Sequence, residues 1–181
     1  MHLPSRKTIR LAGHDYGTVG YYFVTICIAD RRQSLGHMDR DQVVLSSIGI
    51  AAETELRWLP VRFDHVELDL FRVMPDHLHA IVGLREASPV QMNFRQFSSP
   101  QPRSLSMVVN HFKGTVTRYA RHYADPTFAW QSRFHERFVR NEREMDALRQ
   151  YIDMNPKRRY FDHLDRIRRD MPPGMSEMTT P

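Results

Sequence analysis

The chain has 181 residues, 41% apolar and 26% charged, with a single cysteine; that suits one well-cored domain with tails and excludes a wholly disordered protein. No run approaches the roughly 18 consecutive apolar residues of a membrane span, and the opening MHLPSRKTIRLAGHDYG lacks the apolar centre of a secretory signal. Cys27 alone can form neither an internal disulfide nor a cysteine-based zinc site, so a soluble protein of a reducing compartment such as the cytoplasm is expected.

Basic residues outnumber acidic ones, 26 to 21, for a net charge of +5, and only Lys7, Lys113 and Lys157 are lysines. Arginine grips phosphate bidentately and stacks on bases, which hints at nucleic acid. Arginine-biased codon usage gives the same composition.

In chain order, residues 1–18 read as a basic arm. YYFVTICIA (21–29) is dense in aromatic and β-branched residues and predicts a strand ending at Asp30-Arg31-Arg32. A short strand fits 43–45. From Ser46, apolar Ile48, Ala51, Ala52, Leu56 and Leu59 recur at helical spacing, and Pro60 is expected to stop that helix. Val66, Leu68, Leu70 and Arg72 alternate against Glu67, Asp69, Phe71 and Val73. The Met74-Pro75-Asp76 turn then leads into HLHAIVGL (77–84), predicting an antiparallel hairpin.

Residues 85–103, with three prolines and no periodicity, read as a mobile loop. Ser104 caps a second helix with the stripe Leu105, Val108, Phe112, Val116 and Tyr119. RFHERFVR (133–140) predicts a last strand. Asn141 caps a third helix with Glu144 at the capping-box position and a stripe of Met145, Leu148 and Ile152. Asn155-Pro156 should end it, because a residue before proline is pushed out of the helical region. Residues 161–181 read as a basic, then disordered, tail. Strand–helix–strand–strand–helix–strand–helix is the order of an α+β, ferredoxin-like sandwich with an added C-terminal helix, so the domain is placed at 19–160.

Two constellations carry chemistry. On a strand, residues two apart share a face, so His77 and His79 either converge on one cation or form a partly buried pair on a sheet face. Two imidazoles leave Zn²⁺, Mg²⁺ or Mn²⁺ short of at least one protein ligand. On the third helix, Tyr151 and Asn155 are four apart and share a face beside the apolar stripe. Tyr151 is either an amphipathic core-edge residue or a phenolic nucleophile with a carboxamide beside it. Joined, they suit a tyrosine attacking a phosphodiester whose oxygens are neutralised by a divalent ion.

The ordered series LAGHDYGTVGYYFVTICIADRR, VELDLFRVMPDHLHAIVGL, SLSMVVNHFKG, WQSRFHERFVRNE and YIDMNP, across roughly residues 8 to 160, resembles the REP-associated tyrosine transposases of the single-tyrosine HUH superfamily. The resemblance implies His77 and His79 as the metal pair, Asn155 as third ligand, Tyr151 as nucleophile and Mg²⁺ or Mn²⁺ as cofactor. It implies cleavage and rejoining of single-stranded DNA at palindromic hairpins through a 5′-phosphotyrosine, in a bacterial, nucleoid-associated protein that is a monomer or a homodimer. Arg137 stands where relatives often carry histidine, and Asp76 precedes the pair where asparagine or glutamate is also common.

Candidate DNA contacts are Arg31, Arg32, Lys113, Arg133, Lys157, Arg158 and Arg159, any one of which a solvated surface also explains. Trp58 and Trp130 could stack on bases, although core packing is the commoner use. A non-catalytic hairpin-binding module and a water-using metal nuclease are the competing functions.

Overall fold

A computed structural model describes residues 19–86 and 104–170, with side chains as far as 162. Strand β1 (Gly20–Cys27) forms where aromatic and β-branched residues crowd the sequence. A short hairpin, β2 (Gly36–Asp39) and β3 (Gln42–Leu45), turns at Arg40, whose φ is 54°. Helix α1 (Ser47–Arg62) begins at Ser46, whose hydroxyl accepts the Gly49 N–H. Strands β4 (Val66–Val73) and β5 (His77–Leu84) pair as the expected hairpin, and the Met74 N–H bonds the His77 carbonyl across its turn. Helix α2 (Leu105–Tyr123), capped by Ser104, leads to β6 (His135–Phe138) and then to α3 (Glu142–Asp170).

The main sheet runs β4-β5-β1-β6 with every pair antiparallel, the ferredoxin-like order, while β2 and β3 form their own two-stranded sheet. Alternation divides the main sheet into two faces. Tyr22, Val24 and Ile26 of β1 and Leu78, Ala80 and Val82 of β5 join one buried cluster with Ala52 and Leu56 of α1 and Val108 and Phe112 of α2. The opposite face carries Phe23 and Ile81, which pack against Met145 and Ile152 of α3, with Leu148 and Tyr151 at the margin.

Several expectations are corrected. Pro60 does not stop α1, which runs on to Arg62 and closes with a Phe63 N–H to Leu59 carbonyl bond. A proline in the last turn forfeits one hydrogen bond and need not end the helix. Pro156 likewise sits inside α3, which continues to Asp170, so residues 157–160 and the expected start of the tail, 161–170, are helical. The alternation read along β4 breaks at a register shift between Leu68 and Phe71. Phe71 therefore joins Val66 and Leu68 against the main core, while Leu70 turns to the α3 side. On α2, Val109 and Ala120 are buried and Tyr119 is exposed. Trp130 is core, but Trp58 is 50% exposed. The hairpin strand β2 had no signal in the sequence. The arm at 1–18, most of the loop at 85–103 and the end of the tail lie outside the described residues.

A candidate metal and nucleophile cleft between the sheet and α3

At the end of the sheet nearest the β4–β5 turn, the α3 face changes from apolar to polar. His79 pairs in register with Thr25, and His77 with Cys27. Above them stands the middle of α3. Thr25, Cys27, Arg31, His77, His79, His135, Tyr151, Asn155, Arg158, Arg159 and Asp162 line one cleft of about 570 Å³.

The two imidazoles converge with Nε2 atoms 3.1 Å apart. His77 Nδ1 lies 2.7 Å from Asp76 Oδ1, and a carboxylate can only accept, so His77 carries its proton on Nδ1 and turns a bare Nε2 to the cleft. The short contact between the two Nε2 atoms then places the His79 proton on Nε2, with the Thr25 hydroxyl donating to His79 Nδ1 at 2.9 Å. His79 is only 5% exposed. Burial and, after it, the neighbouring His77 push its pKa down to about 3 against the pull of Asp76, so the ring is neutral at neutral pH.

Burial works against the Asp76 carboxylate, but hydrogen bonds from His77 and Arg159 and the positive charge of Arg159 outweigh it and hold the pKa well below the usual carboxylate range. Arg159 Nη1 lies 2.6 Å from Asp76 Oδ1, and Arg31 Nη1 3.7 Å from Oδ2. Cys27 is buried, and burial pushes its thiol pKa up.

Tyr151 sits edge-on to His79, ring centroids 5.2 Å apart, and edge-on to Phe23 at 5.9 Å. The Arg158 guanidinium lies 5.7 Å from its ring centre. Asn155 follows one turn later on the same side of the helix.

The two imidazole nitrogens are spaced as ligands of one divalent ion. Two ligand atoms bonded at about 2.0–2.2 Å to one cation sit roughly 3 Å apart, as these Nε2 atoms do. Binding a cation through His79 Nε2 would require the His79 proton to sit on Nδ1, where the Thr25 hydroxyl could rotate to accept it. Asn155 would add an amide oxygen. No group of three or more His, Cys, Asp and Glu side chains arranged for a metal occurs among the described residues. A divalent ion held there would take two nitrogens and an oxygen from the protein and would keep positions open for water or substrate.

The cations expected to meet DNA divide. Arg31, Arg158 and Arg159 line the cleft. Lys157 lines a neighbouring cavity beside Asp153, Arg57 and Arg72. Arg32 donates to the Thr127 hydroxyl and carbonyl and pairs with Asp125, bracing the loop after α2. Lys113 is half-buried, its ammonium donating to the Gln131 carbonyl at 2.6 Å, and burial lowers its pKa. Arg133 is exposed just before β6. Arg137 pairs with Glu144 at the start of α3.

Of the cleft residues, Thr25, His135 and Asp162 had no role in the sequence reading. His135 is cross-strand from Thr25, and the same-face alternation of His135 and Arg137 was the available signal. Asp76 looked like a turn residue, and nothing local announced its partners.

Fold and cleft together define a ferredoxin-like α+β protein whose sheet presents a histidine pair to a tyrosine-bearing helix. No family model matches the chain. Over 160 residues it is 31% identical to an uncharacterized protein of Haemophilus influenzae, covering 83% of this chain and 88% of that one, and it belongs to the same family as that protein. Among solved structures it is similar to a REP-associated tyrosine transposase bound to a REP hairpin, with a TM-score of 0.55 and 21% identity over 77% of this chain and 68% of the other. The resemblance read from the sequence is thus matched by the fold. No helix among the described residues is long and apolar enough to cross a membrane.

Proposed function

We propose that the protein is a metal-dependent tyrosine transposase that cleaves and rejoins single-stranded DNA at palindromic, REP-like hairpins. The observation that supports this best is the meeting of two Nε2 atoms, 3.1 Å apart, with the Tyr151 ring in one cleft. Tyr151 Oη is the nucleophile: an Oη–P bond forms as Oη gives up its proton, the P–O3′ bond breaks, and the 3′ oxygen takes up a proton and leaves as a hydroxyl. The product is a 5′-phosphotyrosine that keeps the energy of the broken bond, so a 3′-hydroxyl can reverse the step without ATP. A Mg²⁺ or Mn²⁺ held by His77, His79 and Asn155 would neutralise the non-bridging oxygens and orient the phosphorus as a Lewis acid. Arg158 and Arg31 supply positive charge at the mouth of the same cleft, where a strand's phosphates arrive. The substrate strand must be flexible, because a paired stem holds its phosphates away from a recessed helix–sheet junction.

The deciding experiment traps the covalent adduct. Wild type with Mn²⁺ and a hairpin carrying single-stranded flanks should give a denaturant-stable protein–DNA species, cut in the flank and not in the stem. Tyr151→Phe should lower adduct yield about a thousandfold or more, with little change in hairpin binding or melting temperature. Cleavage without an adduct would identify the water-using nuclease, and binding without cleavage the hairpin-binding module.

A further inference from the structure

We propose that Asp76 is a positioning residue that couples the histidine pair to the tyrosine-bearing helix. The proposal rests on reading the cleft as a metal site, and its test is built to fail separately from that reading.

Asp76 is 7% exposed in the turn between β4 and β5. A carboxylate is retained in such a place when every side of it is used. Its Oδ1 receives both His77 Nδ1–H, at 2.7 Å, and Arg159 Nη1, at 2.6 Å, while Oδ2 faces Arg31. The turn itself is fixed through its backbone. The Asp76 carbonyl accepts the Ile28 N–H at 2.9 Å, and the Pro75 carbonyl accepts the Leu35 N–H at 3.0 Å. The carboxylate is therefore a stationary point to which two adjustable parts are tied.

The first part is the His77 ring. With Nδ1–H committed to Asp76, the Nε2 lone pair is directed at His79. The second is the stretch of α3 beyond Pro156. Upstream, α3 is held to the sheet by Met145, Ile152 and a bidentate Arg149–Asp69 pair at 3.0 and 2.6 Å. Pro156 lacks an N–H, so the helix loses a rung there and the following turn needs an external tie. Arg159 reaches back to Asp76 from that turn, one residue after the Arg158 that lies over Tyr151. One carboxylate thus sets the lone pair that would meet a cation and ties down the stretch of α3 that follows the nucleophile.

The test uses the full chain, with Mn²⁺ as probe, and two readouts: calorimetric Mn²⁺ affinity, and amide hydrogen exchange over residues 157–162 without metal. Asp76→Ala should weaken Mn²⁺ binding about 10- to 100-fold, the usual cost of losing a ligand's hydrogen-bond partner. It should also speed exchange over 157–162 by about fivefold or more. Arg159→Met should reproduce the faster exchange and change Mn²⁺ affinity less than about threefold, and the double variant should exchange no faster than either single one. Asp76→Asn keeps an acceptor for His77 and serves should the alanine variant fail to fold: it should show the fast exchange with a smaller loss of affinity.

Wild-type affinity and wild-type exchange in the Asp76 variants would overturn the proposal. Additive exchange effects would overturn the tie between Asp76 and Arg159. A wild type that takes up no Mn²⁺ would refute the metal reading, and with it the His77 half of the proposal, while the exchange comparison would still decide the helix tie.

Discussion

The two faces of the sheet are built from the same strands and behave differently. Toward α1 and α2, β1 and β5 present Tyr22, Val24, Ile26, Leu78, Ala80 and Val82, all buried in one apolar cluster. Toward α3 the same strands present Phe23 and Ile81 at one end, then Thr25, Cys27, His79 and His77 at the other. The first half of α3 packs on the apolar end, and its second half overhangs the polar end, with Tyr151 at the changeover. Apolar burial on one face thus secures the strands, while the other face lines up its reactive groups where packing gives way to a cleft.

Substitutions on opposite faces should separate stability from chemistry. The largest effect expected is on the closed face. Phe112→Ala removes a fully buried ring in contact with Trp130 and should cost about 3–5 kcal/mol in denaturant unfolding, while adduct formation per folded molecule stays at the wild-type rate. His79→Ala on the open face should do the reverse, lowering adduct formation about 100-fold, near 2.7 kcal/mol, and abolishing its response to Mn²⁺. Equal losses of activity from both variants would show that the faces are not independent.

A second, smaller asymmetry is in pH. The folded protein keeps His79 neutral down to about pH 3, whereas an unfolded histidine takes up a proton near pH 6.5. Below that value the unfolded chain binds more protons, so the stability of the metal-free protein should fall as pH is lowered, by about 2 kcal/mol between pH 7 and pH 5. Asp76 acts further down. Its folded pKa is depressed, so its contribution is present above about pH 4, where the unfolded carboxylate titrates, and is lost as pH falls through the folded value. His79→Asn should flatten the pH 5–7 limb, and Phe112→Ala should shift the whole curve without changing its shape; denaturant midpoints across this range measure both.

The smallest effect is electrostatic. Hairpin binding should weaken with salt, with a log–log slope of about −0.7 per single-strand phosphate contact. Arg158→Ala, at the cleft mouth, should flatten the slope by about one contact, and Lys157, Arg158 and Arg159 changed together to alanine should flatten it further while keeping hairpin preference. Lys113→Ala should leave the slope alone, since its ammonium is spent on the Gln131 and Ser132 carbonyls. A flattened slope in Lys113→Ala would move the DNA track onto α2.

Local patterns in the sequence determined much of this protein. Alternating aromatic and β-branched residues specify β1, Ser46, Ser104 and Asn141 mark three helix starts, and HLH puts two imidazoles on one strand face because side chains alternate with period two. Tyr151 and Asn155 share a helix face by the same kind of arithmetic. Tertiary structure decided what short-range rules cannot. It carried α3 through Pro156, since packing against the sheet outweighs one lost hydrogen bond and the bias against helix before proline. It placed the bulge in β4 that turns Leu70 toward α3, and it drew Lys113 and Arg32 away from the cleft. It also brought Arg159 back to Asp76 across 83 positions of sequence. That meeting depends on where a helix lies against a sheet, which no window of neighbouring residues encodes.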